Sequence, residues 1–269
     1  MPFTRAGGLT VHYDITGPQD GPPVVLLNSL GTSVHLWDAQ VPALAERHRV
    51  VRYDMRGHGL SASAPEREYT MVQLADDLAE LLDALAIERA ALVGLSIGGG
   101  VAQRFAAAYP ARTERLVLCA TGNRIGTAPM WNERMEIAER NGMAALTEGT
   151  LGRWFTAAMH AERPVDVDGF RLMLSRTPVA GYVGCCAAVR DADLAADDAR
   201  ITAPTLVIAG SDDPSTPPAL CAALRDAIPG ASLHVIDGAA HILNVERPEE
   251  FNRVVREFLH APAAAGRRR

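Results

Sequence analysis

Cysteine is scarce in this sequence, and long apolar runs are missing. The four cysteines are too few and too unevenly spaced for a disulfide framework, and the adjacent Cys185 and Cys186 have poor geometry for a bond with each other. No apolar run approaches the roughly 18 residues that a membrane-spanning helix requires. The first residues, Met1-Pro2-Phe3-Thr4-Arg5, lack the charged-then-apolar order of a secretory signal. We therefore expect a reduced, cytoplasmic protein with no membrane partner.

An excess of basic charge is also missing. Lys and Arg number 26 against 32 Asp and Glu, which gives a formal net charge of −6. A nucleic-acid-binding domain normally shows a basic face, and a polybasic membrane anchor needs clustered cations, so we expect neither partner. The basic cluster Arg267, Arg268 and Arg269 follows three alanines and a glycine. We expect residues 263–269 to be a disordered C-terminal tail.

Metal-binding patterns are absent among the histidines. The eight histidines form neither an H-x-H nor an H-E-x-x-H motif. We therefore expect no metal and no cofactor, and nothing in the composition predicts an oligomeric state.

The sequence does contain an alternation of β-rich runs and helical stretches. It is 48% hydrophobic and 22% charged over 269 residues, close to the globular average. The predicted strands are residues 9–15, 24–28, 49–54, 91–95, 116–120, 205–209 and 233–236, and several are continuous apolar runs, as in central parallel strands. This order predicts an α/β fold with a mostly parallel sheet flanked by helices.

Two helices and one insertion complete the predicted organisation. Thr70 and Gln73 form a capping box at the start of a predicted helix over 70–87, and a last helix is expected to begin near Pro248. Residues 121–199 contain no convincing apolar strand. We expect them to form a helical lid, or cap, on a core made of residues 1–120 and 200–262.

Ser96 lies in the pattern Gly94-Leu95-Ser96-Ile97-Gly98, between a predicted strand and a predicted helix. This is the arrangement of a nucleophile elbow, in which a sharp turn raises a serine hydroxyl above the carboxyl edge of the sheet. Small residues are needed on both sides because larger ones would collide across the turn. The pattern predicts Ser96 as a nucleophile. A nucleotide-binding loop is excluded because the G-x-G-x-x-G spacing is absent.

A serine nucleophile needs a histidine base and an acid that orients this histidine. His241 follows the last predicted strand and is the predicted base, whereas His234 lies within that strand and is expected on its solvent face. Asp212 and Asp213 both follow the strand at 205–209. Asp213 is the predicted acid because it stands at the usual interval from the strand-ending glycine, and Asp212 is expected to be a solvated carboxylate.

An oxyanion hole needs two preorganised backbone N–H groups. One is expected from Ile97, directly after the nucleophile. The other is expected from Leu30, in the Asn28-Ser29-Leu30-Gly31 turn after the second predicted strand. The assignment of Leu30 depends on that of the elbow.

Together these segments resemble the α/β-hydrolase superfamily over nearly the whole chain. Residues 53–61 and 240–248 are of its type, as is the elbow. Narrower features resemble one branch, the 3-oxoadipate enol-lactonases of aromatic-compound degradation by the β-ketoadipate pathway. These features are residues 28–31 followed by Trp37, residues 94–99, residues 181–194 with their double cysteine, and residues 216–218. Pro214 departs from this pattern, in which small residues are commoner after the acid.

The resemblance implies a serine-type carboxylic-ester hydrolase with a triad of Ser96, Asp213 and His241. The implied substrate is a small carboxylate-bearing lactone, the enol-lactone of 3-oxoadipate. Attack by Ser96 through an acyl-enzyme and direct attack by water both remain open.

The same resemblance directs attention to cations and aromatic residues that could meet this substrate. Arg124, Arg134 and Arg190 are candidates for binding the carboxylate, with an ordinary surface charge as the alternative for each. Trp131 and Trp154 are candidate lid walls, with core packing as the alternative.

Two other functions remain as alternatives. A carboxylesterase or perhydrolase would use the same triad on another small acyl ester or lactone, because fold alone does not fix the substrate. A non-catalytic ligand receptor could also be built on this fold, although all three catalytic residues are present.

Overall fold

The computed structural model describes residues 2–261, so the tail predicted at 263–269 lies outside it. Within this range eight strands form one sheet in the order β1-β2-β4-β3-β5-β6-β7-β8. Strand β1 pairs antiparallel with β2, and β2 with β4, while the remaining neighbours are parallel. The strands are β1 Phe3–Ala6, β2 Leu9–Thr16, β3 Pro23–Leu27, β4 Arg49–Tyr53, β5 Ala90–Leu95, β6 Thr113–Cys119, β7 Thr205–Gly210 and β8 Ser232–Ile236. The predicted α/β architecture with a mostly parallel sheet is confirmed.

All seven predicted strands are present, and β1 was not predicted. This strand has four residues, of which only Ala6 is buried. It therefore lacks the apolar run or alternation that would mark it in the sequence. It forms the edge of the sheet by pairing with β2, from Phe3 opposite His12 to Ala6 opposite Leu9.

Helices cover both faces of this sheet. Helix α2 begins with the predicted capping box of Thr70 and Gln73, and it ends before residue 87 because Ala86 adopts a φ of 52°. The α-helices of residues 2–261 are α1 Val41–Ala45, α2 Met71–Ala84, α3 Ile97–Ala108, α4 Ala128–Asn141, α5 Ala144–Trp154, α6 Ala157–Glu162, α7 Pro164–Ser175, α8 Val179–Asp191, α9 Ala195–Asp198, α10 Pro218–Ala227, α11 Leu243–Glu246 and α12 Pro248–His260.

The parallel strands bring four loops to one edge of the sheet. Strands β5 and β7 are buried along their whole length, as expected where helices cover both faces. Because parallel strands end at the same edge, the loops after β3, β5, β7 and β8 converge there. These loops carry Leu30, Ser96, Asp213 and His241 respectively.

Residues 121–199, all of them described, form loops and helices between β6 and β7. Helix α8 packs directly on the core, since a Cβ on Gly181 would lie 2.1 Å from the carbonyl oxygen of Gly57. Within residues 2–261 no single helix is long and apolar enough to span a membrane, and α7 with α8 passes only as a pair bent by 92°. That this segment acts as a lid stays a prediction.

Candidate active site

Ser96 occupies the tight turn between β5 and α3. Its φ of 58° lies in the left-handed region, which non-glycine residues adopt rarely and at a cost. The flanking glycines make the turn possible: a Cβ on Gly94 would lie 2.3 Å from the Gly98 carbonyl oxygen, and one on Gly98 would lie 2.4 Å from that of Leu27. The turn therefore holds the Ser96 side chain at the positive N-terminal end of α3.

His241 and Asp213 form a buried hydrogen-bonded pair. The His241 Nδ1 lies 2.9 Å from the Asp213 Oδ2, and both side chains are almost fully buried. Asp212, in contrast, is exposed and accepts a hydrogen bond from the Ser211 hydroxyl. Of the two aspartates that follow β7, Asp213 therefore contacts the predicted base.

Asp213 is held by three further hydrogen bonds. Its Oδ1 accepts from the backbone N–H groups of Ser215 and Thr216, at 2.7 and 3.1 Å, and its Oδ2 accepts from the Thr216 hydroxyl at 2.5 Å. Burial alone would raise the pKa of Asp213, but His241 and the Thr216 hydrogen bonds outweigh it and keep the pKa below its ordinary value. Asp213 is thus an anion at neutral pH and fixes the orientation of the His241 ring.

One cavity of about 250 Å³ joins Ser96 and His241. Leu30, in the turn after β3, contributes one wall. Pro214, which directly follows Asp213, contributes another. Helices α4 and α5 provide the opposite wall. A small acyl compound in this space would touch Ser96, His241 and the turn of Leu30 together.

The two residues predicted to supply the oxyanion hole are both close to the site: Ile97 follows Ser96 in the chain, and Leu30 lines the same cavity. The Ile97 N–H is the first of α3, and the Leu30 N–H belongs to a turn that lines the cavity. Among residues 2–261 neither N–H group has a hydrogen-bond acceptor. Both donors are therefore free for a ligand oxygen.

Two arginines face this cavity from the helical wall. Arg134, predicted above, donates to the Tyr182 hydroxyl at 2.6 Å and lies over the Trp131 ring at 5.2 Å. Arg153 was not predicted, and burial together with the charge of Arg134 lowers its pKa. Within the described range neither arginine pairs with a carboxylate. A cationic wall without its own counter-ion suits an anionic ligand.

The sequence contains only an unspecific signal for Arg153, since Arg104 shares it and yet pairs with Asp197. Neither Arg134 nor Arg153 has an acidic residue three or four positions away, so neither can form the usual ion pair along its helix. Arg140 and Arg171, in contrast, pair with Glu136 and Asp168 at these spacings.

The other candidate substrate-binding residues divide into two groups. Trp131 and Trp154 line the cavity. Arg124 and Arg190 do not: Arg124 forms an exposed ion pair with Asp193 at 2.6 Å, and Arg190 pairs with Glu68 and Asp191. The structure therefore places these two arginines away from the cavity of Ser96.

A larger cavity of about 650 Å³ lies on the other side of the turn after β3. Several polar side chains on its wall bond to one another, as Arg52 does to Asp14 and His12 does to Asp54. It contains neither Ser96 nor His241. The chemistry predicted from the sequence therefore belongs to the smaller cavity.

Known proteins resemble this chain over most of its length. The family model described as the alpha/beta hydrolase fold matches residues 22–248. The chain is 35% identical to 3-oxoadipate enol-lactonase 2 of Acinetobacter baylyi, over 93% of each chain. It is 34% identical to the proposed carbamate hydrolase RutD of Variovorax paradoxus, over 96% of this chain and 99% of that one. The crystal structure of an enol-lactonase from Burkholderia xenovorans LB400 superposes with a TM-score of 0.95 at 40% identity, covering 97% of this chain and 100% of that chain.

Proposed function

Because this chain belongs to the α/β-hydrolase family, we propose that it is a serine hydrolase that opens the enol-lactone of 3-oxoadipate. The product would be 3-oxoadipate, an intermediate of aromatic-compound degradation. One observation carries the choice of substrate: Arg134 and Arg153 face the cavity of Ser96 and pair with no carboxylate among residues 2–261. A lactone with a free carboxylate supplies the missing anion.

In the first step His241 removes the proton of Ser96. Its Nδ1–H donates to Asp213, so Nε2 carries the lone pair that accepts the proton. The Ser96 Oγ then bonds to the lactone carbonyl carbon, and the π electrons move to the carbonyl oxygen. The N–H groups of Leu30 and Ile97 stabilise this oxyanion.

In the second step the carbonyl re-forms and the ring C–O bond breaks. The departing oxygen leaves as an enolate, which takes the proton held by His241 and becomes the ketone. The acyl group stays on Ser96 until a water, deprotonated by His241, attacks its carbonyl carbon. The carbonyl re-forms as the Ser96 oxygen leaves with the proton held by His241, and the released acid ionises to the new carboxylate of 3-oxoadipate.

The helical wall supplies recognition rather than bond chemistry. Arg134 and Arg153 balance the substrate carboxylate, and charge-assisted hydrogen bonds of this kind are about twice as strong as neutral ones. Trp131 and Trp154 provide apolar contact for the ring. A plain ester without a carboxylate would use the same triad but gain nothing from the two arginines.

The test is the loss of enol-lactone ultraviolet absorbance at neutral pH after addition of purified protein. A sample without enzyme and a Ser96→Ala sample run beside it, with p-nitrophenyl acetate as the neutral-ester comparison. We expect fast decay with the wild type alone and slow turnover of the ester. Decay at the blank rate with good ester turnover would retain the hydrolase and reject the lactonase.

A second experiment tests carbamates as substrates, because one relative is named as a proposed carbamate hydrolase. Carbamate hydrolysis is followed by ammonia release under the same conditions. Turnover of a carbamate with a higher kcat/KM than the enol-lactone would overturn the proposed substrate. Rapid quenching followed by mass spectrometry of the protein tests the covalent route, since an acyl group on Ser96 adds the mass of the substrate.

A further inference from the structure

Thr32 makes two hydrogen bonds to one carbonyl in the turn after β3. The Ser29 carbonyl oxygen accepts from the Thr32 backbone N–H at 3.2 Å and from the Thr32 hydroxyl at 2.7 Å. Thr32 is only 1% exposed. The second bond depends on the side chain, so the identity of residue 32 affects the Ser29 carbonyl directly.

The Ser29 carbonyl and the Leu30 N–H belong to the same peptide, here called the oxyanion peptide. Residues 2–261 contain no cis peptide bond, and in a planar trans peptide the C=O and N–H bonds point in opposite directions. A carbonyl fixed toward Thr32 therefore turns the Leu30 N–H the other way. This N–H has no acceptor in the described chain, and Leu30 lines the cavity of Ser96.

We infer that Thr32 is a positioning residue that aims the Leu30 N–H at the oxyanion. This inference rests on the proposed function, in which Ser96 creates that oxyanion. Thr32 contacts no reacting atom and acts only through the oxyanion peptide. Without the Thr32 hydroxyl the oxyanion peptide can change its orientation. A Leu30 N–H that no longer points at the oxyanion loses much of its stabilising effect on the transition state.

The rest of the turn is anchored independently of Thr32. The Gly31 N–H donates to the His58 Nε2 at 3.0 Å, and the Gly31 carbonyl accepts from the Thr177 hydroxyl at 3.3 Å. On the other side, the Asn28 Oδ1 accepts from the Trp37 indole N–H at 3.0 Å. Loss of the Thr32 hydroxyl should therefore loosen the oxyanion peptide while its neighbours stay in place.

The test compares Thr32→Val with Thr32→Ser. Valine keeps the branched shape and removes the hydroxyl donor, whereas serine keeps the donor. We expect Thr32→Val to lower kcat by about 10-fold to 100-fold with KM changed less than about twofold, because loss of an oxyanion donor costs about 10² to 10³ in kcat. Thr32→Ser should stay within about threefold of the wild type.

Two further readouts separate positioning from damage to the fold. The rate of Ser96 labelling by a fluorophosphonate, and the affinity for a trifluoromethyl ketone that forms an oxyanion on Ser96, should fall with kcat in Thr32→Val. Binding of the product 3-oxoadipate, which forms no oxyanion, should be unchanged. Equal weakening of both ligands would show general damage to the site and overturn the inference.

Other outcomes also decide the inference. Wild-type kcat in Thr32→Val, or equal losses in both variants, would overturn it. If the wild type is labelled on Ser96 and hydrolyses p-nitrophenyl acetate but not the enol-lactone, the proposed substrate fails and the Thr32 comparison is read on the ester. If the wild type shows neither labelling nor hydrolysis, both proposals are overturned.

Discussion

Arg134 and Arg153, two side chains of like charge, both donate a hydrogen bond to the Thr150 hydroxyl, each at 3.3 Å. The repulsion between them joins burial in lowering the pKa of Arg153. Within residues 2–261 no carboxylate relieves it. An anion bound between the two guanidinium groups would relieve this repulsion.

Arg153→Gln should raise KM for the enol-lactone about 10-fold to 100-fold with little change in kcat. The range follows from the 1.5–3 kcal/mol typical of hydrogen bonds to charged groups. Steady-state kinetics on the lactone and on p-nitrophenyl acetate check it, and the neutral ester should be unaffected. Arg124→Gln is the control, because Arg124 sits in an exposed ion pair. Equal losses on both substrates would contradict a role in binding the carboxylate.

Asp213→Asn should lower kcat by about 10³-fold or more, because an amide no longer stabilises the imidazolium or its required tautomer. Asp212→Asn should stay within about twofold, since its side chain is exposed and contacts Ser211. Circular dichroism of both variants verifies that they are folded. The opposite ranking of the two variants would show that Asp212, and not Asp213, acts as the acid.

Asp198→Asn should stabilise the protein at alkaline pH. The carboxyl is fully buried, and burial and then the neighbouring Asp197 raise its pKa to about 7, although Asn123 acts in the opposite direction. Because the folded state holds this proton more tightly than the unfolded chain, wild-type stability should fall as pH rises from about 4 to about 7 and then level off.

Urea unfolding of wild type and variant at pH 4.5 and pH 8.5 measures this effect. We expect the gain of the variant to be about 3 kcal/mol larger at pH 8.5 than at pH 4.5, because each unit of the rise in pKa from 3.8 to about 7 is worth about 1.4 kcal/mol. Asp197→Asn serves as a control, because Asp197 pairs with Arg104 and Arg200 and should not stabilise when replaced. A gain that is independent of pH would reject the titration of Asp198 as its cause.

Gly181→Ala should lower the free energy of unfolding by about 1–3 kcal/mol, as overpacking of a core does. The added methyl group would meet the backbone of Gly57, which cannot rotate away as a side chain does. Gly169→Ala in α7 is the matched control: nothing lies within 4 Å of its added Cβ, and it should stabilise by about 0.5–1 kcal/mol. Thermal or urea unfolding of both variants distinguishes the two sites.

The sequence predicts the parts of this molecule that depend on local patterns. The turn of Ser96 needs glycines at fixed offsets, and the continuous apolar strands need burial on both faces, so both are visible along the chain. His241 and Asp213 follow from chain order, and the structure brings them within 2.9 Å of each other.

The roles of individual charges could not be predicted in the same way. Arg124 and Arg190 looked equivalent to Arg134 in the sequence, but carboxylates that neutralise them lie elsewhere along the chain, such as Glu68 beside Arg190. Thr32 gave no signal either, because its effect depends on the direction of a carbonyl three residues earlier. Such relationships appear only once the turn is folded.

The arginine wall and the predicted triad belong to different stretches of the chain. Arg134 and Arg153 lie in the uninterrupted segment between β6 and β7, whereas Ser96, Asp213 and His241 lie outside it. On the proposed function, substrate recognition and bond chemistry can therefore diversify separately during evolution, since recombination confined to residues 121–199 exchanges the two arginines and leaves the triad intact. The close approach of Gly57 and Gly181 sets the condition: an incoming segment must keep a glycine at that junction.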